Sequence, residues 1–161
     1  MTSPPPVATK VARIPESRLG LRYAPVQRPL APAALLVGLD PEQTLFLEVL
    51  FRQQQWKLYV TATLRGAVAL LRKTPVPVVL TERDLPQGDW SDLLVQTRDL
   101  PVRPLVVVAS RLADEHLWAE VLNRGGHDVL PTPLRETEVL WVLRHAFGIT
   151  KPAGRPAGGN C

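Results

Sequence analysis

Residues 33–55 read AALLVGLDPEQTLFLEVLFRQQQ, and this stretch decides the fold. Its opening run, Ala33–Val37, is continuously apolar, as is typical of a parallel strand covered on both faces. Asp40 then supplies the side-chain oxygen that an N-cap needs, and Pro41 fits the first helical position, where its missing N–H costs nothing. Apolar side chains recur at helical spacing beyond it, which indicates the buried face of a helix that continues through Gln55. These side chains are Phe46, Leu47, Leu50 and Phe51.

Four further strand–helix units follow the first one. Short β-branched runs predict strands at Trp56–Thr61, Val78–Thr81, Leu105–Ser110 and His127–Leu130. Helices are predicted at Leu64–Lys73 after a Thr63 cap, from near Ser91 after a loop at Glu82–Asp89, at Asp114–Arg124 and at Arg135–Phe147. Alternation of this kind is typical of a parallel sheet with right-handed crossovers. The predicted fold is therefore α/β, a three-layer α/β/α sandwich with a doubly wound (βα)5 sheet in the flavodoxin-like strand order 2-1-3-4-5.

The overall composition fits one soluble domain and excludes several other classes. The chain has 161 residues, of which 45% are apolar and 21% are charged, as in ordinary globular domains. It has no run of about 18 apolar residues that could cross a bilayer. Its first residues lack the basic and apolar regions of a secretory signal, so we expect a cytoplasmic location. The single cysteine, Cys161, cannot form an internal disulfide.

The net charge of +4 is distributed unevenly along the chain. Residues 1–31 contain five basic residues against one acid, with six of the 17 prolines, and residues 149–161 add two basic residues. Residues 32–148 then carry a net charge of −2. We expect a disordered basic leader over 1–31, a slightly acidic domain over 32–148 and a disordered tail over 149–161. Seven basic residues at the two ends are a weak signal for nucleic acid, so nucleic-acid binding is not expected.

In a doubly wound sheet, a site forms at the carboxyl ends of the strands, beside the first and the third. The residues at those ends are Gly38, Leu39 and Asp40, then Glu82, Arg83 and Asp84, then Ser110 and Thr132. Glu82, Ser110 and Thr132 offer polar groups there, but no base or cofactor-binding loop accompanies them. An enzyme or a small-ligand binder that uses this crevice remains one alternative.

Five short motifs, in order along residues 33–148, resemble the receiver domain of two-component response regulators. They are Asp40-Pro41-Glu42, Asp84-Leu85-Pro86-Gln87-Gly88-Asp89, Ala113-Asp114-Glu115, Asn123-Arg124-Gly125-Gly126-His127-Asp128 and Thr132-Pro133. The order and spacing of the motifs carry the resemblance. It implies a signalling domain that phosphorylates itself on an aspartate with the help of Mg²⁺ and acts through protein contacts.

The resemblance also implies where the phosphorylation residues would stand, and most of them are missing. The phospho-acceptor falls on Glu82, and the acidic pair that holds Mg²⁺ falls on Gly38 and Leu39. The charge-neutralising lysine falls on Thr132, and the hydroxyl that binds the phosphoryl group survives as Ser110. Without the acids, Mg²⁺ affinity is expected to be negligible, and nothing offsets the charge of a transferred phosphoryl group. We therefore predict a degenerate receiver with no catalytic residue, no metal and no cofactor.

Three interpretations remain open for the carboxylates in this pocket. Glu82 could imitate a phosphorylated aspartate, although it carries one negative charge where an acyl phosphate carries about two. Otherwise Glu82 is a solvated carboxylate, paired loosely with Arg83 or Arg111. Asp40 and Glu82 could also hold a weak metal together and preserve a residual phospho-switch.

Two other groups of chemistry-bearing residues are interpreted as structural. Asp84 and Asp89 lie in a predicted turn, where aspartate side chains commonly bond nearby backbone N–H groups. The histidines His116, His127 and His145 are scattered over three elements and lack the spacing of metal ligands.

Exposed apolar residues indicate where a binding function could lie. With the first helix packed on its core face, Leu45 and Val49 form an extra apolar pair on the outside. Trp118 in the fourth helix and Trp141 in the last helix are expected to turn partly outward. Grouped apolar side chains of this kind indicate a partner or homodimer interface, although peripheral packing is the preferred interpretation of each of the four residues alone. The expected partner is a signalling kinase, an output protein or a second copy of the chain.

Overall fold

A computed structural model describes residues 31–149 of the chain. The predicted leader, 1–31, and the predicted tail, 149–161, lie outside the described residues apart from Ala31 and Ile149. Within the described range, no helix combines the length and the apolar character needed to cross a membrane.

The described residues form seven strands and five helices. In chain order these are β1 (Ala33–Val37), α1 (Pro41–Gln54), β2 (Lys57–Thr61), α2 (Leu64–Lys73), β3 (Val78–Glu82), β4 (Asp84–Leu85), β5 (Gly88–Asp89), α3 (Trp90–Thr97), β6 (Leu105–Ser110), α4 (Glu115–Asn123), β7 (Asp128–Pro131) and α5 (Glu136–Phe147). Five strands form one sheet in the order β2-β1-β3-β6-β7, and all neighbours are parallel. With the two-residue strands left out, this is the predicted order 2-1-3-4-5. The predicted (βα)5 fold is confirmed.

The loop predicted at Glu82–Asp89 contains a small antiparallel hairpin, β4–β5. Asp84 pairs with Asp89, and Leu85 pairs with Gly88. The Leu85 side chain is buried, so one apolar group anchors the hairpin to the domain. Strands of two residues are too short to show the alternation that predicts a strand from sequence.

Side-chain caps fix the first residue of several helices. Asp40 accepts a hydrogen bond from the Gln43 amide at 2.8 Å, and Thr63 accepts one from the Gly66 amide at 3.0 Å. Such caps satisfy amides that have no partner inside the helix. Arg135 is an N-cap without a side-chain hydrogen bond, so α5 begins one residue later than predicted.

Other predicted element ends are wrong by one residue. Asp114, Arg124 and Gln55 are predicted as helical residues. In the structure each one is an N-cap or a C-cap, which lies half inside its helix. Trp56 and His127 are predicted as the first residues of their strands, but they precede β2 and β7. Glu82 and Pro131 are predicted to follow their strands, but they are the last residues of β3 and β7.

Alternate residues of the central strands face opposite sides of the sheet and build two apolar layers. Leu35 and Val37 of β1 belong to the layer that α2, α3 and α4 cover. Ala34 and Leu36 belong to the layer under α1 and α5. Full burial of one such leucine stabilises the fold by roughly 1.5–3 kcal/mol.

The buried face of α1 differs from the prediction at one position. Phe46, predicted to be buried, is only partly covered at the margin of its layer, whereas Gln43 is buried. The Gln43 Oε1 accepts a hydrogen bond from the Leu134 amide at 2.8 Å. This bond satisfies the buried amide group and ties α1 to the segment between β7 and α5.

Candidate functional site

The carboxyl ends of β1, β3, β6 and β7 bring the predicted pocket residues to one edge of the sheet. Gly38 directly follows β1, Glu82 ends β3 and Ser110 ends β6. Glu82 lies beside Ala109 in the strand register. The Thr132 amide donates to the Ser110 carbonyl at 3.1 Å. The topology therefore juxtaposes these positions, and their side chains decide the chemistry.

Gly38 lies in a conformation and an environment that disfavour a side chain. Its φ of +73° falls in the left-handed region, which residues with a Cβ rarely adopt. A Cβ built there would lie 2.5 Å from Leu85 Cδ2 and 3.7 Å from Glu82 Cβ. The buried Leu85 side chain thus fills the space beside Gly38. A methyl group, which cannot bind a cation, occupies the place where the resemblance puts a metal-binding acid.

Leu39, which occupies the second position of the implied acidic pair, packs against apolar side chains. Its side chain is half-buried against the layer under α1 and α5. The neighbouring Asp40 is exposed, and its carboxylate caps α1 through the Gln43 amide. The carboxylate that follows the implied acidic pair in sequence therefore has a structural role at a helix start.

Glu82 is half-buried, and its surroundings disfavour its negative charge. Burial raises the pKa of this carboxyl, a hydrogen bond from the Arg83 amide at 3.1 Å opposes the rise, and the charges of Asp40 and Asp84 add to it. Arg111 offsets the rise only in part. In the described part of the chain, neither arginine lies within salt-bridge distance of Glu82. The predicted loose pairing thus reduces to a backbone contact with Arg83 and a longer-range attraction to Arg111.

Two positions of the pocket carry hydroxyl groups, Ser110 and Thr132. Ser110 is buried, and its Oγ accepts a hydrogen bond from the Leu112 amide at 3.1 Å. Thr132 is half-buried and brings a neutral hydroxyl where the resemblance puts a lysine. Among residues 31–149, no group of three or more His, Cys, Asp or Glu side chains could hold a metal ion.

The structure gives Asp89 the structural role that its place in a turn predicts. Its carboxylate accepts hydrogen bonds from the Ser91 amide at 2.9 Å and the Asp92 amide at 3.2 Å, which starts α3 with a capping box. Burial raises the pKa of Asp89, but the hydrogen bonds from the Ser91 hydroxyl and from the Ser91 and Asp92 amides together outweigh burial and hold this pKa below its usual value. Asp84 is exposed in the hairpin opposite Asp89.

Three of the four predicted interface residues are exposed. On α1, Leu45 is 60% exposed and Val49 is 41% exposed, and on α4 Trp118 is 49% exposed. Trp141 on α5 is half-buried at the margin of its layer and stacks on His145, with ring centroids 5.3 Å apart. The Trp118 Nε1 donates to the buried Asp128 carboxylate at 3.3 Å, which fixes the orientation of the indole ring.

Two of the three histidines lie close together although they belong to different elements. The ring centroids of His127 and His145 lie 6.1 Å apart. Burial lowers the pKa of His127, the Asp128 charge opposes this, and the proximity of His145 lowers it further. A sequence signal exists for this pair, because a helix that follows a strand runs back along it. The last turn of α5 therefore lies beside the start of β7.

The comparisons with known proteins bear on the fold. No family model and no curated protein matches the chain. It is similar to a putative response regulator from Chloroflexus aurantiacus, with a TM-score of 0.67 and 17% identity, over 74% of this chain and 99% of that one. The fold is that of a receiver domain.

Two further solved receiver domains share this fold. One belongs to a sensor histidine kinase of Pseudomonas aeruginosa and holds a magnesium ion in its active-site cleft; it has a TM-score of 0.64 and 20% identity, over 74% of this chain and 99% of that one. The other is the beryllofluoride-activated NtrC4 receiver dimer, with a TM-score of 0.66 and 19% identity, over 73% of this chain and 97% of that one. The receiver fold thus covers about three quarters of the chain.

Proposed function

We propose that this chain is a degenerate receiver domain that binds proteins in cytoplasmic two-component signalling without being phosphorylated and without enzymatic activity. The observation that carries the proposal is the packing of Leu85 against Gly38. A methyl group and a glycine backbone stand where phosphoryl transfer would need a metal-binding carboxylate.

The physics of phosphoryl transfer supports this proposal. The reaction depends on cations that neutralise charge on the transferred group, and Mg²⁺ needs oxygen ligands in near-octahedral geometry. Here Asp40 caps α1, and Glu82 is a carboxyl whose charge is disfavoured. Thr132 adds no positive charge. These groups offer neither a complete ligand set nor a substitute for the lysine.

The environment of Glu82 also weighs against a mimic of phospho-aspartate. A mimic must present strong negative charge at the strand end. Burial and two neighbouring carboxylates instead raise the pKa of Glu82, so its surroundings disfavour added negative charge. A single carboxylate also carries less charge than an acyl phosphate, and the proposal assigns Glu82 no role as a mimic.

The exposed apolar side chains supply the binding part of the proposal. Exposed aromatic and aliphatic groups of this size commonly mark protein interfaces. Trp118 is the strongest single candidate, because its hydrogen bond to Asp128 orients the ring before a partner arrives. Leu45 and Val49 form a separate apolar pair on α1. The partner is a signalling kinase, an output protein or a second copy, and the NtrC4 receiver is itself a dimer.

Use of the strand-end crevice by a small ligand finds less support. Two surface cavities of about 410 and 390 Å³ occur within residues 31–149. The first lies on the outer side of α4, and the second lies between α2 and α3. The residues that line them do not include the pocket residues at the strand ends.

Incubation with acetyl phosphate and Mg²⁺, followed by intact-mass measurement, tests this proposal. The expected result is an unchanged mass for the full chain and for its Glu82→Asp variant, because Leu85 still occupies the space beside Gly38 and Thr132 still replaces the lysine. A receiver with an intact aspartate, treated in parallel, controls for the reagent. A gain of one phosphoryl group that disappears in Glu82→Gln overturns the proposal and establishes a residual phospho-switch.

A further inference from the structure

His127 and His145 meet where α5 returns to the first residues of β7. His127 directly precedes β7, and His145 lies in the last turn of α5. Their ring centroids are 6.1 Å apart, and the ring planes are inclined by 34°. His127 is half-buried, whereas His145 is exposed to solvent. The pair thus joins two elements and remains open to solutes on one side.

The separation of the rings fits two imidazoles that share one metal ion. A Zn–N bond is about 2.0–2.1 Å long and the ring centre lies about 1.2 Å behind the nitrogen, so the two centroids would lie roughly 5.3 Å apart at a tetrahedral N–Zn–N angle and roughly 6.5 Å apart at a linear one. The observed 6.1 Å lies between these two values. The rings would approach each other by about 0.8 Å to reach the tetrahedral separation.

We propose that His127 and His145 form a two-histidine site for a divalent transition-metal ion of the zinc or copper class. Imidazole nitrogens suit these ions, whereas Mg²⁺ prefers oxygen ligands. Because the described residues contain no cluster of three or more ligating side chains, water completes the coordination shell. The bound ion would join β7 to α5.

The surroundings of the pair favour a bound cation. Trp141 stacks on His145 with an interplanar angle of 11°, which limits the orientations of that imidazole. The carboxylate of Asp128 follows His127 directly and adds negative charge. The Arg144 side chain extends to α1, where it donates to Gln54 Oε1 at 3.0 Å, and Arg124 forms a salt bridge with Glu120 on α4 at 3.4 Å.

Calorimetric titration of ZnCl₂ into the untagged full chain tests this site. All variants carry Cys161→Ser, because a thiolate would bind zinc by itself. The variants are His127→Gln, His145→Gln and the double variant, and His116→Gln is the matched control because His116 is an exposed histidine on α4.

The expected result is one bound ion per chain, with affinity reduced about tenfold or more by either single substitution at His127 or His145. The double variant should bind zinc only slightly more weakly than either single variant, because each single substitution already removes the same site. The control should stay within about twofold of the parent. His145→Gln keeps the test valid if the half-buried His127 proves necessary for folding.

Three results would overturn the proposal: no zinc binding at millimolar concentration, binding that survives both single substitutions, or an equal loss in the His116→Gln control. None of these three results depends on the pocket at the strand ends. Failure of the metal site is therefore distinguishable from failure of the proposed signalling function.

Discussion

Replacement of Gly38 by alanine should destabilise the domain by about 2–5 kcal/mol. The left-handed backbone, at φ +73°, accounts for about 1–2 kcal/mol of this once a Cβ is present. The contact between that Cβ and Leu85 Cδ2, built at 2.5 Å, adds an overpacking cost of about 1–3 kcal/mol. The magnitude therefore has a conformational part and a steric part that can be separated.

Gly148 provides the matched control for the conformational part. Its φ is +77°, and a Cβ built there meets no atom within 4 Å. Gly148→Ala should cost only the conformational part, about 1–2 kcal/mol. In a Leu85→Ala background, which itself costs about 2–5 kcal/mol, Gly38→Ala should fall to the same value. The two substitutions should thus couple by about 1–3 kcal/mol.

Equilibrium urea unfolding, followed by circular dichroism, measures each of these free energies. The free energy of unfolding is compared for the parent chain, Gly38→Ala, Leu85→Ala, the double variant and Gly148→Ala. The reasoning is refuted if Gly38→Ala costs no more than Gly148→Ala, or if the costs at Gly38 and Leu85 simply add. Either result would mean that Leu85 does not fill the space beside Gly38.

Two further predictions concern Glu82 and the exposed apolar surface. Burial raises the pKa of Glu82 in the folded state above its ordinary value of 4.5, so the folded state binds this proton more tightly than the unfolded state does. The stability of the fold therefore falls as the pH rises from 4.5 through the raised pKa. Glu82→Gln should flatten this decline and increase stability at neutral pH, as measured by thermal unfolding at several pH values. The interpretation is wrong if the dependence of stability on pH is the same in the variant and the parent. If the partner is a second copy that binds at Trp118, Trp118→Glu should weaken self-association roughly 30-fold in sedimentation velocity. His116→Glu serves as the charge-matched control on α4, and a parent chain that stays monomeric at all concentrations excludes a second copy as partner.

The positions of the main elements are predictable because local signals and tertiary environment agree in this chain. Ala33–Val37, Leu64–Lys73 and Leu105–Ser110 have the bounds that apolar runs and the Thr63 cap predict. The hairpin β4–β5 is different, since the contact that anchors it joins Leu85 to a glycine far away in sequence. Local patterns carry no information about such a contact.

The candidate site is predictable in its positions and less so in its contacts. The doubly wound topology places Gly38, Glu82, Ser110 and Thr132 at one edge before any side chain is considered. That Leu85 fills the space beside Gly38 follows only from the three-dimensional path of the hairpin. Likewise, Gln43 is buried on α1 because it bonds the Leu134 amide, which a count of apolar residues does not reveal.

The central claim is that this receiver fold has lost the metal and phosphoryl site at its strand ends. The most direct test is a ¹H–¹⁵N NMR titration of the full chain with Mg²⁺ and then beryllofluoride. The account predicts no saturable shift of the Gly38, Glu82, Ser110 and Thr132 amides. Saturable shifts confined to these amides would contradict it, because they would show an ion bound where Leu85 leaves no ligand.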